Sequence, residues 1–455
     1  MTTALFALAV FVATAWAAGA VGALGTATPA GVDGLVEWAR AQGAVIAPAV
    51  AIRTSPLTGN GVYATADMKA HTTVFAVPFS LMMNVEHALV DPDLGRLWDM
   101  LPDLSDLEVL AGFLAFESLR GTGFWQPYLA SLGPPPTTPT LFSQEEMDLL
   151  APSAAVFDIA QQRHLDLSEV YDLIVKAATN GLNKKEKEAW QQLGMRKSDY
   201  LWAHVVLRSR SHKLSIKDAV GQWHDAMCLV PLADLFNTDL RNNTANVACY
   251  TGEEGHGTAS TFYCETTRDI NHSEELLVEY IGDAMRRSSG KLLLDYGFVP
   301  TTHDSDSVLL HLPKLSETAE QRLKHFHFRE YEPLPWLENS DACLKLRLVI
   351  YFAIDVLDKN GFDISDDFKV SDKLLSERLR RDGLDRLLEH ISDLNDAYPN
   401  HGDGDGNGDG NGDGTRGRSA FPAGVRADVG EAILRLQQNE QRILQRALDV
   451  CTAVV

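Results

Sequence analysis

The sequence predicts an α+β protein: a β-rich domain over residues 34–311 divided by a helical insert at about residues 86–209, followed by an all-helical domain over residues 312–455. Three observations carry this expectation. Short apolar runs bounded by turn residues fill positions 49–78 and return from Val230, the pattern of short strands. Between them, apolar residues recur at helical spacing. From Leu312 onward the helical spacing resumes, and 455 residues suit two domains.

Taken in order, the first 32 residues hold no charged side chain, and Ala4 to Leu24 is an almost unbroken apolar run. Small residues at Ala17 to Ala23 suit a cleaved signal peptide over residues 1–30, while a run approaching roughly 20 residues also suits a retained anchor. The expected destination is the secretory pathway or a membrane, with this segment as the sole membrane contact. Plastid delivery is the alternative. GLVEWARAQ places Leu35, Trp38 and Ala39 on one helical face. AVAI (49–52), GNGVYAT (59–65) and TVFAVP (73–78) then read as strands.

Within the insert, Leu104, Leu107, Leu110, Ala111 and Leu114 form one buried stripe. FWQPYLASLGPPP ends in a proline-rich turn that interrupts any helix. Ser143 and Glu146 have the spacing of a capping box at a helix start. NVACY (246–250) and TFYCET (261–266) flank a Gly-rich loop and predict a hairpin, and ELLVEY adds a strand. Long periodic stretches at 343–358, 370–396 and 425–450 predict the C-terminal helices, interrupted by a Gly/Asp-rich tract at 401–418. Asp403, Asp405, Asn407 and Gly408 resemble the opening of a calcium loop, but Gly414 cannot supply the closing carboxylate, so the tract reads as a solvated linker.

A net charge of −22 disfavours nucleic acid and anionic lipid as partners and suits a basic protein segment. The five cysteines include no CxxC pair or other zinc spacing. Cys249 and Cys264 could face each other across the hairpin and bond in an oxidising compartment. No metal and no oligomer is expected.

The chemistry concentrates between Leu229 and Pro300. PLADLFN (231–237), EELLVEY (274–280) and LLLDYGFVP (292–300), with LRSRSHKL (207–214) and the GNG turn, resemble the signatures of SET-domain protein methyltransferases of the Rubisco large-subunit methyltransferase type. The resemblance implies S-adenosylmethionine as cofactor, a helical substrate-binding domain and a protein substrate with an accessible lysine. Histidine is the alternative acceptor. By that resemblance Thr58, Gly59, Asn60 and Gly61 contact the cofactor through main chain, and Arg210 meets its carboxylate. Asn237 and Thr238 occupy the positions of the family's Asn-His pair, Thr238 having a shorter arm than histidine. Asp234 is assigned to substrate binding. Tyr296 and Tyr280 are the catalytic tyrosines, Tyr296 orienting the acceptor nitrogen.

No His/Asp or Cys/His pair suggests a dedicated base, and His212, His224, His256 and His272 read as loop residues. A lysine acceptor needs none if an apolar channel and the positive sulfonium lower its pKa from about 10.4. Thr238, Ser289 and the interposed YIGDAMRRSS depart from the family pattern. They motivate a competing reading, a non-catalytic SET protein that binds a partner. Sequons at 242–244 and 271–273 lie inside the catalytic segment, which argues against a glycosylating lumen.

Overall fold

A computed structural model describes residues 29–55, 59–217, 222–238, 244–253, 260–278, 288–301, 306–335, 337, 342–343, 347–360, 377–399 and 421–452. The apolar leader, Thr58, Tyr280 and the Gly/Asp-rich tract lie outside these residues. The chain opens with α1 (Pro29–Ala41), β1 (Val45–Ile46), β2 (Val50–Ser55), β3 (Gly59–Ala64), β4 (Thr73–Pro78) and β5 (Met83–Asn84). Helices follow: α2 (Val85–Leu89), α3 (Gly95–Asp99), α4 (Asp106–Arg120), α5 (Gln126–Leu129), α6 (Gln144–Leu150), α7 (Ala154–Gly181), α8 (Lys184–Leu193) and α9 (Lys197–Arg210). Strands return as β6 (His212–Lys217), β7 (Trp223–Leu229), β8 (Val247–Glu253), β9 (Ser260–Thr266) and β10 (Glu275–Leu276). The remainder is α10 (Ser289–Tyr296), β11 (Ser307–His311), α11 (Glu317–Leu323), β12 (Tyr331–Pro335), α12 (Arg347–Lys359), α13 (Glu377–Asp396) and α14 (Ala427–Cys451).

Two compact units emerge, one of Met1–Leu141 with Gln162–Ala284, the other of Phe142–Gln161 with Met285–Val455, so the division falls inside α7. The first unit holds three small antiparallel sheets, ordered β1-β4-β9-β8, β10-β3-β2 and β5-β7-β6. Its core includes Phe75, Phe113, Phe116, Tyr128, Tyr200 and Phe236, all essentially without exposure. Local signals place the helices. Ser105 and Glu108 form a reciprocal capping box at the start of α4, and Gly121 ends that helix in the left-handed conformation. The predicted hairpin is β8–β9, where Cys249 stands opposite Cys264 and the two are disulfide-bonded.

In the second unit α12, α13 and α14 bury Phe352, Leu384, Leu387, Ile391, Ile443 and Leu444 against one another. The predicted capping box at α6 is present, and the Arg426 guanidinium also grips Glu146, at 2.7 and 2.9 Å. The segment after Leu312 is not all helical. Strand β12 pairs with β11 in register Ser307↔Pro335 to His311↔Tyr331. YEPLP buries alternate residues, a two-residue period that the surrounding helical stretches mask. A second disulfide, Cys343–Cys451, ties the end of α14 across 108 residues, a separation from which sequence spacing predicts nothing. Among the described residues no helix is long and apolar enough to cross a membrane.

One buried carboxyl gives the second unit a pH response. Glu440 accepts a hydrogen bond from the Tyr398 hydroxyl at 2.9 Å, and burial pushes its pKa up to about 7, with Asp306 adding to the rise. Stability from this group is therefore fully present below about pH 4.5, its ordinary value, and is lost as pH rises through about 7. Glu440→Gln is expected to unfold later than the wild type in urea at pH 8. The advantage should shrink by about 2 to 3 kcal/mol on going to pH 5. Parallel stability profiles for the two proteins would show that another group carries the response.

Candidate active site

Three of the sequence segments meet in the first unit at Gly61. β10 pairs with β3 only at Val62 and Tyr63. Beyond Leu276 the chain leaves β3, and Leu277 bridges to Asn237 instead, with the Val278 amide donating to the Asn237 carbonyl at 3.1 Å. The Asn237 side chain thus comes to lie over Gly61, where its Nδ2 donates to Glu275 Oε1 at 2.8 Å. That bond orients the amide, leaving Oδ1 as an acceptor. A Cβ on Gly61 would stand 2.7 Å from Glu275 Oε1, 2.9 Å from Asn237 Nδ2 and 3.0 Å from the Tyr63 ring. The glycine is required by this close approach. Gly61→Val should force the pair apart and lower stability by about 1–3 kcal/mol, measured by chemical denaturation. An unchanged midpoint would mean that the Asn237–Glu275 pair moves aside freely.

Gly59, at φ 72°, opens the strand in the left-handed region and faces open space. Asn60 is held in the hairpin by a hydrogen bond from Thr54 Oγ1 to its Oδ1 at 2.8 Å. Since β10 stops short, the β3 edge at Gly59–Gly61 is not covered by a strand among the described residues. Thr238 follows Asn237, half-buried.

Asp234 and Arg210 are also brought together, in a way that the sequence did not suggest. The Asp234 carboxylate is fully buried. It accepts from the Tyr128 hydroxyl at 2.9 Å and lies 3.5 Å from Arg210 Nη1. Arg210 Nη1 also donates to the Asp234 carbonyl at 3.1 Å, and Nη2 to the Leu132 carbonyl at 3.3 Å. The Asp234 side chain is thus buried against Tyr128 and Arg210, and the Arg210 guanidinium is engaged by the Asp234 and Leu132 carbonyls, contacts that the assignments to substrate and cofactor carboxylate did not foresee. Burial raises the Asp234 pKa despite the opposing pull of Arg210. The neighbouring Leu232, fully buried, has φ 74° and ψ −46°. Such a left-handed non-glycine residue costs on the order of 1–3 kcal/mol, the kind of strain that gathers at functional sites.

A cavity of about 660 Å³ lies in the same unit, its lining including Ser211, His212, Val247, Phe262, Thr267 and Val278. Because Val278 donates to Asn237, one wall adjoins the Asn237 element. His212 is no loop residue. It begins β6, packs edge-on against Phe262 at 5.4 Å, and is neutral because burial lowers its pKa to about 4. Lys213 also lines the cavity, ion-paired with Asp225 at 2.9 Å.

Tyr296 belongs to the second unit, half-buried at the end of α10, with Gly297 closing the helix at φ 76°. Ser289, one of the departures from the family pattern, is fully buried in the first turn of this helix. Sequence reading missed Glu275, Tyr128 and His212 as members of these sites. Glu275 and His212 stood inside motifs already singled out, but only pairing register shows what they face. The WQPY segment marked Tyr128 without naming its partner, which lies 106 residues away.

Three small antiparallel sheets, a helical insert and a mostly helical second unit make up a fold shared with solved SET-domain structures. The SET domain of LSMT bound to lysine and AdoHcy superposes with a TM-score of 0.67 at 17% identity, covering 93% of this chain and 91% of that one. Rubisco LSMT bound to AdoMet gives 0.65 at 16% identity, covering 93% and 92%. More particularly, by sequence the chain resembles actin-histidine N-methyltransferases. The protein from Callithrix jacchus is 26% identical and those from Mus musculus and Homo sapiens 25% identical, over 296 residues. The match covers 64% of this chain and 45% of each relative, so the chain spans less than half their length. No family model matches the sequence.

Proposed function

We propose that this protein transfers a methyl group from S-adenosylmethionine to a side-chain nitrogen of a protein substrate, lysine being the acceptor. The observation that carries the reading is the convergence of Gly61, Asn237 and Glu275 beside an uncovered strand edge, on a fold whose solved examples include one bound to AdoMet. The main chain of Gly59–Gly61 and the side chains of Asn237 and Thr238 would hold the cofactor, Asn237 offering Oδ1 as an acceptor. When bound, it supplies an electrophilic methyl group on a positively charged sulfur.

The residues of the chain do the rest. The cavity beside Asn237 receives the acceptor side chain, and its mixed apolar and polar wall strips water from the amine, which favours the neutral nucleophile. By the family resemblance, the hydroxyl of Tyr296, in the second unit, is assigned to accept a hydrogen bond from the acceptor amine and orient its lone pair. Histidine as acceptor is the second reading, supported by the names of the relatives from three mammals. An S-adenosylmethionine titration followed by labelled-methyl transfer to lysine- and histidine-bearing proteins tests both. Absence of cofactor binding at millimolar concentration would leave only the non-catalytic, partner-binding reading.

We also propose an oxidising compartment reached through the N-terminal leader, supported by the two disulfides. Mass spectrometry of protein alkylated without reduction should find the Cys249–Cys264 and Cys343–Cys451 peptides linked, with Cys228 as the remaining thiol. Recovery of all the cysteines as free thiols from native tissue would exclude such a compartment.

A further inference from the structure

We infer that Arg435 and Asn439 of α14 are positioning residues for Tyr296, an inference that rests on the proposed role of that tyrosine. A helix as short as α10 has little stability of its own, so tertiary contacts decide where it stands. Its buried Leu292, Leu293 and Leu294 supply apolar contact, which is non-directional and fixes neither axial position nor rotation. Hydrogen bonds at both ends supply what is missing. At the start, the Ser289 amide donates to Asp306 Oδ1 at 2.7 Å, and its hydroxyl donates to Asp306 Oδ2. Asn439 Nδ2 donates to that same Ser289 oxygen at 3.3 Å and to the Pro300 carbonyl at 3.3 Å. Arg435 Nη1 donates to the Val299 carbonyl at 3.0 Å.

Arg435 and Asn439 are four residues apart and therefore share one face of α14. Tyr296 lies between their anchor points at Ser289 and Val299–Pro300. Asn439 is buried at 6% exposure and Ser289 at 0%. An apolar residue at 439 would avoid the cost of burying an amide. What the amide adds is a fixed register for α10, and through it the direction of the tyrosine hydroxyl.

The test uses the full-length protein. Asn439→Leu is expected to lower kcat per titrated cofactor site by about tenfold or more, the scale of a misaimed reacting group, with KM for S-adenosylmethionine unchanged. Asn439→Gln, which keeps the donor, should recover part of the loss. Unchanged kcat in Asn439→Leu would overturn the inference. So would a loss of kcat that merely tracks lost cofactor sites, with Gln no better than Leu. If Asn439→Leu does not fold, Arg435→Met takes its place: lowered kcat at constant KM supports the inference, and wild-type kcat sinks it. Tyr296→Phe run alongside separates the two ideas. Full activity there removes the role of the tyrosine itself, whereas an inactive Tyr296→Phe beside a fully active Asn439→Leu removes only the role of α14.

Discussion

Tyr296→Phe is expected to lower kcat by about 10²–10³, the usual effect of deleting one preorganised polar contact at a reacting centre, while KM for S-adenosylmethionine stays within a few-fold. The split follows from where the groups lie. The residues proposed to hold the cofactor belong to the first unit, and Tyr296 to the second. Phenylalanine keeps the ring, its place beside Phe298 at 6.5 Å and the helix end, and removes only the hydroxyl. Steady-state kinetics with labelled cofactor, normalised to titrated sites, makes the measurement. Turnover equal to that of the wild type would show that the hydroxyl does not orient the acceptor.

Asp234→Ala should destabilise the first unit by about 3–5 kcal/mol, the cost of breaking a buried ion pair from one side. The Tyr128 hydroxyl loses its acceptor, and Arg210 keeps its charge with only carbonyls for partners. Asp234→Asn should cost less, since its amide oxygen can still accept from Tyr128. Arg210→Met should cost nearly as much as Asp234→Ala, and the double variant less than the sum, because the second change removes a group already orphaned. Urea denaturation of the four proteins yields the coupling. Additive losses would mean that Asp234 and Arg210 act independently.

The sequence disclosed elements wherever one local rule sufficed. TVFAVP is β4 to the residue, because an apolar run closed by proline has few alternatives. Ser143 and Glu146 make the capping box that their spacing implies, a bond pattern confined to four residues. The hairpin carrying Cys249 and Cys264 forms in the expected place. β12 was hidden because five residues are too few for their period to stand out among helices. The motifs PLADLFN, EELLVEY and GNG were legible as words, yet their mutual arrangement was not.

That arrangement is what separates the two levels. Local composition and periodicity by themselves determined the α+β class and the order of strands and helices, since each depends on residues a few positions apart, whereas the segments expected to carry chemistry were marked by a family resemblance. Only tertiary structure decided which partners the residues of those segments meet. It turned Arg210 inward onto Asp234, set Asn237 against Glu275 in the space that Gly61 leaves, raised His212 from a presumed loop residue to a cavity wall, and moved Ser289 from a departed motif position to the anchored start of the helix that bears Tyr296. The physical reason is common to all four: a buried polar group takes its role from the partner that satisfies it, and each partner here comes from a distant part of the chain.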